Sequence, residues 1–215
     1  QRLLEAIKAQ GDRTRMVYAS SRLVYVDTRD LPMPETSACW PVSPYGVTKL
    51  AAEHLCGLYT RNFGVDSVSL RYFTVYGPRQ RPDMAFHRLI RAMITGGEFR
   101  LFGDGEQSRD FTYVGDIADA TIAAAINGAT PGGIYNLGGG SRVSVNQVIA
   151  LLEEITGGKA SIQRLAVAKG DVRDTEADCS RARAELDFNP RYDLKKGLAA
   201  ETEWVRGMLP VLQEV

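Results

Sequence analysis

Short apolar runs alternate along the chain with longer stretches in which apolar residues recur at helical spacing, and this alternation sets out the elements. Leu3, Leu4 and Ile7 share one helical face and predict a helix ending near Gly11, after which Met16-Val17-Tyr18-Ala19-Ser20 reads as a buried parallel strand. Ser43-Pro44 opens a helix over 44–63, with Leu50, Leu55, Leu58 and Tyr59 on one side and Asn62-Phe63-Gly64 as its close. A strand over 65–72 follows. Next come a helix over 84–95 stopping at Gly96-Gly97, a strand over 99–102, a turn at Gly103-Asp104-Gly105, a helix over 115–127 and a strand over 134–137. A helix over 144–156, a strand over 160–165 and helices near 179–187 and 194–207 complete the series. Such alternation predicts an α/β fold with a parallel sheet. Glycines and short strands thicken beyond residue 78, which suggests a second, smaller lobe from 79 to 215 with some segments returning to the main sheet.

With 215 residues, 44% of them hydrophobic and 24% charged, the chain has enough apolar material for a core and is too polar for a membrane protein. Basic and acidic residues number 26 each, so no broad field draws it to nucleic acid or to anionic lipid, and an anionic ligand must be held by local basic groups. Cys39, Cys56 and Cys179 are far apart and outside any metal-ligand or redox spacing, which fits reduced thiols and a cytoplasmic location. His54 and His87 have no carboxylate or cysteine at ligand spacing, so no metal is expected. Glu153-Glu154 and Asp27 to Asp30 read as solvated faces or loops, and Trp40 and Trp204 as packing anchors. The first residues lack the layout of a signal peptide and look like the middle of a fold already under way.

Tyr45-Gly46-Val47-Thr48-Lys49 is the sharpest chemical feature. An i, i+4 spacing puts a phenol and an ammonium one turn apart on one helical face, and a neighbouring cation favours the ionised phenol, as proton exchange with a sugar hydroxyl requires. Taken alone the pair is more often a plain helix-surface pair. Ser20-Ser21, at the end of an apolar strand earlier in the chain, adds the place where doubly wound sheets gather ligand-binding groups.

Strand end, serine and Tyr/Lys helix occur with further ordered matches: Tyr18-Ala19-Ser20-Ser21 with Val24-Tyr25, Leu70-Arg71-Tyr72-Phe73-Thr74-Val75-Tyr76-Gly77-Pro78-Arg79, Arg81-Pro82-Asp83-Met84, Phe102-Gly103-Asp104-Gly105, Arg109-Asp110-Phe111-Thr112-Tyr113-Val114, Asn136-Leu137-Gly138 and Gly170-Asp171-Val172. Over nearly its whole length the chain resembles the extended short-chain dehydrogenase/reductases, nearest to the UDP-glucose and UDP-glucuronate 4-epimerases. The resemblance implies a Rossmann-type doubly wound parallel sheet, present in part, whose C-terminal half is residues 1–78, and a nucleotide-sugar-binding lobe, mainly 79–215. It implies NAD as cofactor, a UDP-sugar as substrate and a homodimer paired through the Tyr/Lys helix. By the same resemblance Ser21, Tyr45 and Lys49 are catalytic. Ser20, Tyr72 and Phe73, with Tyr45 and Lys49, attend the cofactor. Thr74, Asp83, Met84, Arg100, Phe102, Arg109 and Asp171 attend the substrate. Read from the residues alone, Phe73 and Phe102 fit core packing equally well, and Arg109 a surface ion pair with Asp110.

Several departures bear on this reading. Val26 stands where the family usually has glycine, which predicts a strained or shifted serine loop. Ala168 replaces a usual Arg or Gln, and Glu176 a usual aromatic. No glycine-rich strand-to-helix turn precedes Ser20, so the pyrophosphate-binding part of the fold, on the order of a hundred residues, is expected to lie outside these residues; Gly138-Gly139-Gly140 reads as a tight turn instead. Dehydratases and decarboxylases of the same family carry an acidic residue after the catalytic Ser/Thr, where this chain has Arg22 and Leu23, so both rank below epimerisation. A non-catalytic remnant is the alternative of another kind.

Overall fold

In the computed structural model, which describes residues 1–11, 14–26, 30–126, 129–167 and 173–212, the first helix, α1 (Arg2–Gln10), ends at Gly11 in the left-handed conformation that glycine adopts without a Cβ penalty. Strand β1 (Met16–Ser21) runs into a single 3-10 turn, Arg22–Val24. Helix α2 (Pro44–Phe63) starts where the Ser43 hydroxyl accepts from the Gly46 N–H, with Pro44 at a position that needs no N–H. β2 (Ser67–Tyr72) follows, and β1, β2 and β6 (Ile134–Leu137) form a parallel sheet in that order, with Met16 opposite Ser67 and Ser69 opposite Ile134. α2 is the crossover that a parallel β1–β2 pair requires.

This sheet belongs to one of two compact units, made of Gln1–Phe73, Asp116–Gly139 and Glu176–Asn189. Leu4, Cys56, Tyr59 and Val65 form an apolar cluster joining α1 to α2, and Val24, Tyr25, Met33 and Phe73 form another near the ends of β1 and β2. α4 (Val114–Ile126) leads towards β6, and α6 (Ser180–Leu186) packs on it.

The second unit comprises Thr74–Gly115, Gly140–Thr175 and the chain from Pro190 onward. In it β3 (Thr74–Tyr76) pairs in parallel with β5 (Ser108–Tyr113), β5 pairs antiparallel with β7 (Ser141–Ser144), and β4 (Glu98–Phe102) pairs in parallel with β8 (Ser161–Leu165). Helices α3 (Ala85–Thr95), α5 (Val145–Thr156) and α7 (Leu194–Leu212) pack on one another around Leu89, Ile90, Leu152 and Leu198. Tyr76, Phe86 and Phe111 interlock within this core, with ring centroids 4.7 to 6.4 Å apart. No helix among the described residues is long and apolar enough to cross a membrane.

Several local expectations are corrected. β3, β5 and β7 have no counterpart in the apolar pattern: β3 has three residues, β5 buries Asp110 and Thr112 beside Phe111, and β7 is polar apart from Val143. Strands joined by long-range pairing need not show period-two alternation. The described strands form three sheets, the parallel β1-β2-β6 sheet of the first unit and two in the second, one of these with an antiparallel pair that the sequence pattern did not signal. Trp40 is 75% exposed and anchors nothing, whereas Trp204 packs against the core with its ring 5.6 Å from that of His87. Val26 has no positive φ and its N–H donates to the Ala38 carbonyl, so the serine turn carries no backbone strain there. Ala168, Asp171 and Asp27 to Arg29 lie outside the described residues.

Candidate active site

Parallel strands end together, and at their C-terminal ends β1 places Ser20 opposite Arg71 and Ser21 opposite Tyr72. The Ser21 hydroxyl caps the 3-10 turn, accepting from the Leu23 N–H at 3.3 Å. The start of α2 lies directly on this turn: a Cβ on Gly46 would stand 2.2 Å from the Leu23 carbonyl oxygen. Only glycine permits that approach, and it brings the residue beside it, Tyr45, towards the serine turn.

Tyr45, Lys49 and Glu53 recur every four residues on one face of α2. The Lys49 ammonium donates to the Ala19 carbonyl at 2.8 Å and lies 5.5 Å from the centroid of the Tyr45 ring and 5.3 Å from that of Tyr18. Tyr45 is 52% exposed, so its phenol is open to a ligand. Tyr18 differs in kind: burial pushes its phenol up to about 12, which leaves it a neutral neighbour of Lys49.

Beneath these groups is a buried polar network. Ser20 donates from its hydroxyl to Glu53, so towards a cofactor that hydroxyl could act only as an acceptor. Glu53 receives two groups of the Arg71 guanidinium, Nη2 at 2.7 Å and Nε at 3.0 Å. Arg71 also donates to the Glu35 carbonyl at 3.1 Å and lies 4.6 Å from the centroid of the Tyr25 ring. Tyr25 donates to Asn136 Oδ1 at 2.6 Å, and burial pushes its phenol up to about 12 even with Arg71 beside it. Phe73 is buried against Val24, Tyr25 and Met33, while the Tyr72 hydroxyl shares a hydrogen bond of 2.9 Å with Thr121 and burial raises its phenol above the ordinary value.

The remaining predicted residues belong to the second unit. Thr74 opens β3 opposite Phe111, and Met84 is the residue at which α3 begins. Asp83 pairs with Arg81 on the surface at 3.0 Å. Glu98, Arg100 and Phe102 share the exposed face of β4; Phe102 is 44% exposed, which excludes the core-packing reading for it. Arg109 donates from one guanidinium nitrogen to the carbonyls of Ser108 and Arg173, both at 2.9 Å. Around it the pattern of the sequence missed three arginines: Arg173, which lies 3.5 Å from Asp104, Arg164, which donates to the Asp104 carbonyl, and Arg142, which lies 3.9 Å from Asp174. None belongs to a motif, so only the folded chain identifies them. Glu53 was missed too, although its spacing from Tyr45 and Lys49 was there to be read.

The described residues contain no cluster of three or more His, Cys, Asp or Glu able to hold a metal, and no disulfide joins the three cysteines. The profile of the NAD dependent epimerase/dehydratase family matches residues 1–138. Among similar proteins, an uncharacterized UDP-glucose epimerase of Bacillus subtilis strain 168 is 43% identical over 97% of the chain, and a UDP-glucuronate 4-epimerase of Thermodesulfobacterium geofontis is 38% identical over 99%. The crystal structure of a UDP-glucuronic acid 4-epimerase from Bacillus cereus, in complex with UDP-glucuronic acid and NAD, superposes with a TM-score of 0.91 at 42% identity over 96% of the chain. The chain spans 65% of the length of each of the two curated relatives and 66% of the solved one. The fold class is therefore the Rossmann-type α/β class expected from the sequence. With the family profile matched across β1, the serine turn, α2, β2 and β6, the chain belongs to the NAD dependent epimerase/dehydratase family.

Proposed function

We propose that the protein carrying this chain interconverts UDP-sugars epimeric at C4, of the UDP-glucose/UDP-galactose or UDP-glucuronate type, using NAD. The observation that carries this reading is the face of α2 on which Tyr45 is open to solvent and Lys49 is held at 2.8 Å to the end of β1, beside the Ser21 turn. The 4-epimerases among the similar proteins support it.

The donor set suits one end of NAD. A phenol, an ammonium and a serine hydroxyl at the C-terminal ends of parallel strands match the hydroxyls of a nicotinamide ribose, and Lys49 and Tyr45 would hold that end. Bound there, NAD supplies an acceptor that takes hydride from the sugar C4 and gives it back. The proton is the work of this chain: Tyr45 Oη, as the phenolate, takes it from the sugar 4-hydroxyl, becomes the neutral phenol and gives the proton back when hydride returns; Lys49 stabilises the charge of the phenolate, and Ser21 shares a hydrogen bond with the same hydroxyl. On this reading the first unit is the C-terminal half of the NAD-binding domain. The second is the nucleotide-sugar lobe, in which Thr74, Asp83, Met84, Arg100, Phe102, Arg109 and Asp171 attend the substrate. Arg22 and Leu23, where dehydratases and decarboxylases carry an acid, favour epimerisation over those reactions.

The enzyme acts as a homodimer paired through α2, whose outer face with Pro41 presents Val47, Leu50, Ala51, Leu55 and Leu58 as a mainly apolar surface interrupted by His54. It works in the cytoplasm, consistent with its free thiols.

Chromatographic assay of the gene product with UDP-glucose and UDP-glucuronate tests the reading. Tyr45→Phe removes one hydroxyl from an exposed ring, so folding and UDP binding persist while turnover falls by roughly 10²- to 10⁴-fold, as for loss of a general acid/base. Near-normal epimerisation by a folded Tyr45→Phe protein would sink the proposal.

A further inference from the structure

The helix that carries Tyr45 and Lys49 has an unusual third member on the same face. Glu53 lies two turns beyond Tyr45, about 12 Å along the axis, and its side chain is 1% exposed while that of its partner Arg71 is 3% exposed. Two charges are rarely buried so completely unless geometry and further hydrogen bonds compensate for the lost water. Here they do: Arg71 meets Glu53 through both Nε and Nη2, Ser20 adds a third donor to the carboxylate, and Arg71 Nη1 is taken by the Glu35 carbonyl.

Apolar contact does not hold this part of α2. Leu55, Cys56 and Tyr59 pack towards α1, and Leu50 packs in the cluster of Val24 and Phe73. Between these contacts is a cavity of about 370 Å³, bordered by Glu53, His54, Ser67, Ser69, Arg71 and Ile134. The small serines of β2 leave this space unfilled, although Ser67 reaches α2 further along, donating to the Cys56 carbonyl at 3.2 Å and sharing a hydrogen bond of 2.7 Å with Thr60. At its start α2 is fixed by the approach of Gly46 to Leu23, and Lys49 reaches Ala19 from the middle. Between the fixed start and the Ser67 contacts the ion pair ties α2 to Ser20 and Arg71, residues opposite one another in the β1–β2 register.

We propose that Glu53 and Arg71 are a positioning pair, which sets the rotation and depth of α2 and thereby the placement of Tyr45 and Lys49 over the end of β1. The proposal rests on the reading of Tyr45 and Lys49 as the proton-transfer groups. Misplacement of reacting groups by about 1 Å costs on the order of 10²-fold in rate, so the pair acts on turnover without touching a ligand.

Three variants separate positioning from simple stability. Glu53→Asp keeps the charge but withdraws it by one methylene. The double variant Glu53→Leu with Arg71→Met replaces the pair by apolar groups, a change that often preserves stability. Asp66→Asn is the control, because it breaks the half-buried Arg15–Asp66 pair at the opposite end of β2. In the gene product we expect kcat for epimerisation to fall about 10- to 100-fold for both Glu53 variants, with KM within twofold, and to be unchanged for Asp66→Asn. In the 215-residue chain, with ring-labelled tyrosine, the NMR resonance of Tyr45 should move in both Glu53 variants and stay in place in Asp66→Asn, at matched extents of folding. This second readout needs no activity, so a wild type without epimerase activity would end the functional reading and still leave positioning to be decided. A folded Glu53→Asp or double variant with unchanged Tyr45 resonance would overturn the proposal, as would a loss no larger than that of an equally destabilised Asp66→Asn.

Discussion

Buried charges and phenols carry most of the chemical information at the scale of single residues. Tyr45 stands open to solvent while burial pushes the phenols of Tyr18 and Tyr25 up to about 12, so three tyrosines close in sequence have different surroundings. Glu201 in α7 is a further case. It is fully buried, its Oε2 accepts from the Gly77 N–H at 2.9 Å, its Oε1 has no partner, and burial pushes its carboxyl up to about 8 although the Gly77 bond opposes this. The folded chain therefore keeps a proton that the unfolded chain releases near the ordinary value of 4.5. Between these limits the native state binds more protons, so stability falls as pH rises from about 4.5 to about 8 and is level above that window. The total is at most roughly 5 kcal/mol. Glu201→Gln retains an acceptor for Gly77 and loses the titration, so urea unfolding of the two proteins from pH 5 to 9 should show a slope for the wild type that is absent in the variant. Parallel curves would place the proton elsewhere.

At the scale of elements, α2 is the part on which both function and error turn. Its N-cap at Ser43, Pro44 in the first turn and the left-handed Gly64 at its end are local signals, and its bounds follow them. Gly46 acts over a longer range, through a contact with a turn that precedes it by some twenty residues. A methyl group there meets the Leu23 carbonyl at 2.2 Å and Pro41 Cβ at 2.8 Å, and neither is a flexible side-chain end. Gly46→Ala should push the start of α2 off the serine turn, lower stability by about 1–3 kcal/mol as overpacking does, and reduce turnover by more than that loss of folded protein explains. Thermal unfolding with activity normalised to folded fraction is the measurement; a variant of wild-type stability and activity would show that α2 can pivot there. β5 and β7 teach the converse. Their residues alternate poorly because the partners that stabilise them lie far away in sequence, Arg109 opposite Val143 and Phe111 opposite Ser141.

On the scale of the whole molecule, each of the two units interleaves distant stretches of chain, the first with one sheet and the second with two, and each has its own core. Net charge is zero, so anion binding depends on local arginines rather than on a general field. On the proposed reading Tyr45 and Lys49 would meet the nicotinamide end of NAD, whereas the 215 residues include no glycine-rich strand-to-helix turn ahead of Ser20 to cradle a pyrophosphate. The 215-residue chain by itself should therefore bind NAD more weakly than about micromolar, the cradle and its helix dipole being a main source of affinity in such folds. Calorimetric titration decides this; tight binding would mean that another part of these residues holds the phosphates.

The amino-acid sequence by itself determined the order of the main helices and strands, the caps of α2, the Tyr45/Lys49 face and the family, because each depends on residues close together in the chain or on motifs in fixed order. Three decisions came only with tertiary structure. Glu53 and Arg71 became a buried pair because parallel pairing set Arg71 opposite Ser20 and beneath α2. Trp40 went to the surface and Phe102 stayed there, since hydrophobicity alone does not tell a residue which neighbours the fold will supply. Arg142, Arg164 and Arg173 gathered about Asp104 and Asp174 from separate strands and loops. In each case the deciding contact joins residues far apart along the chain, and local pattern carries no record of the register that brings them together.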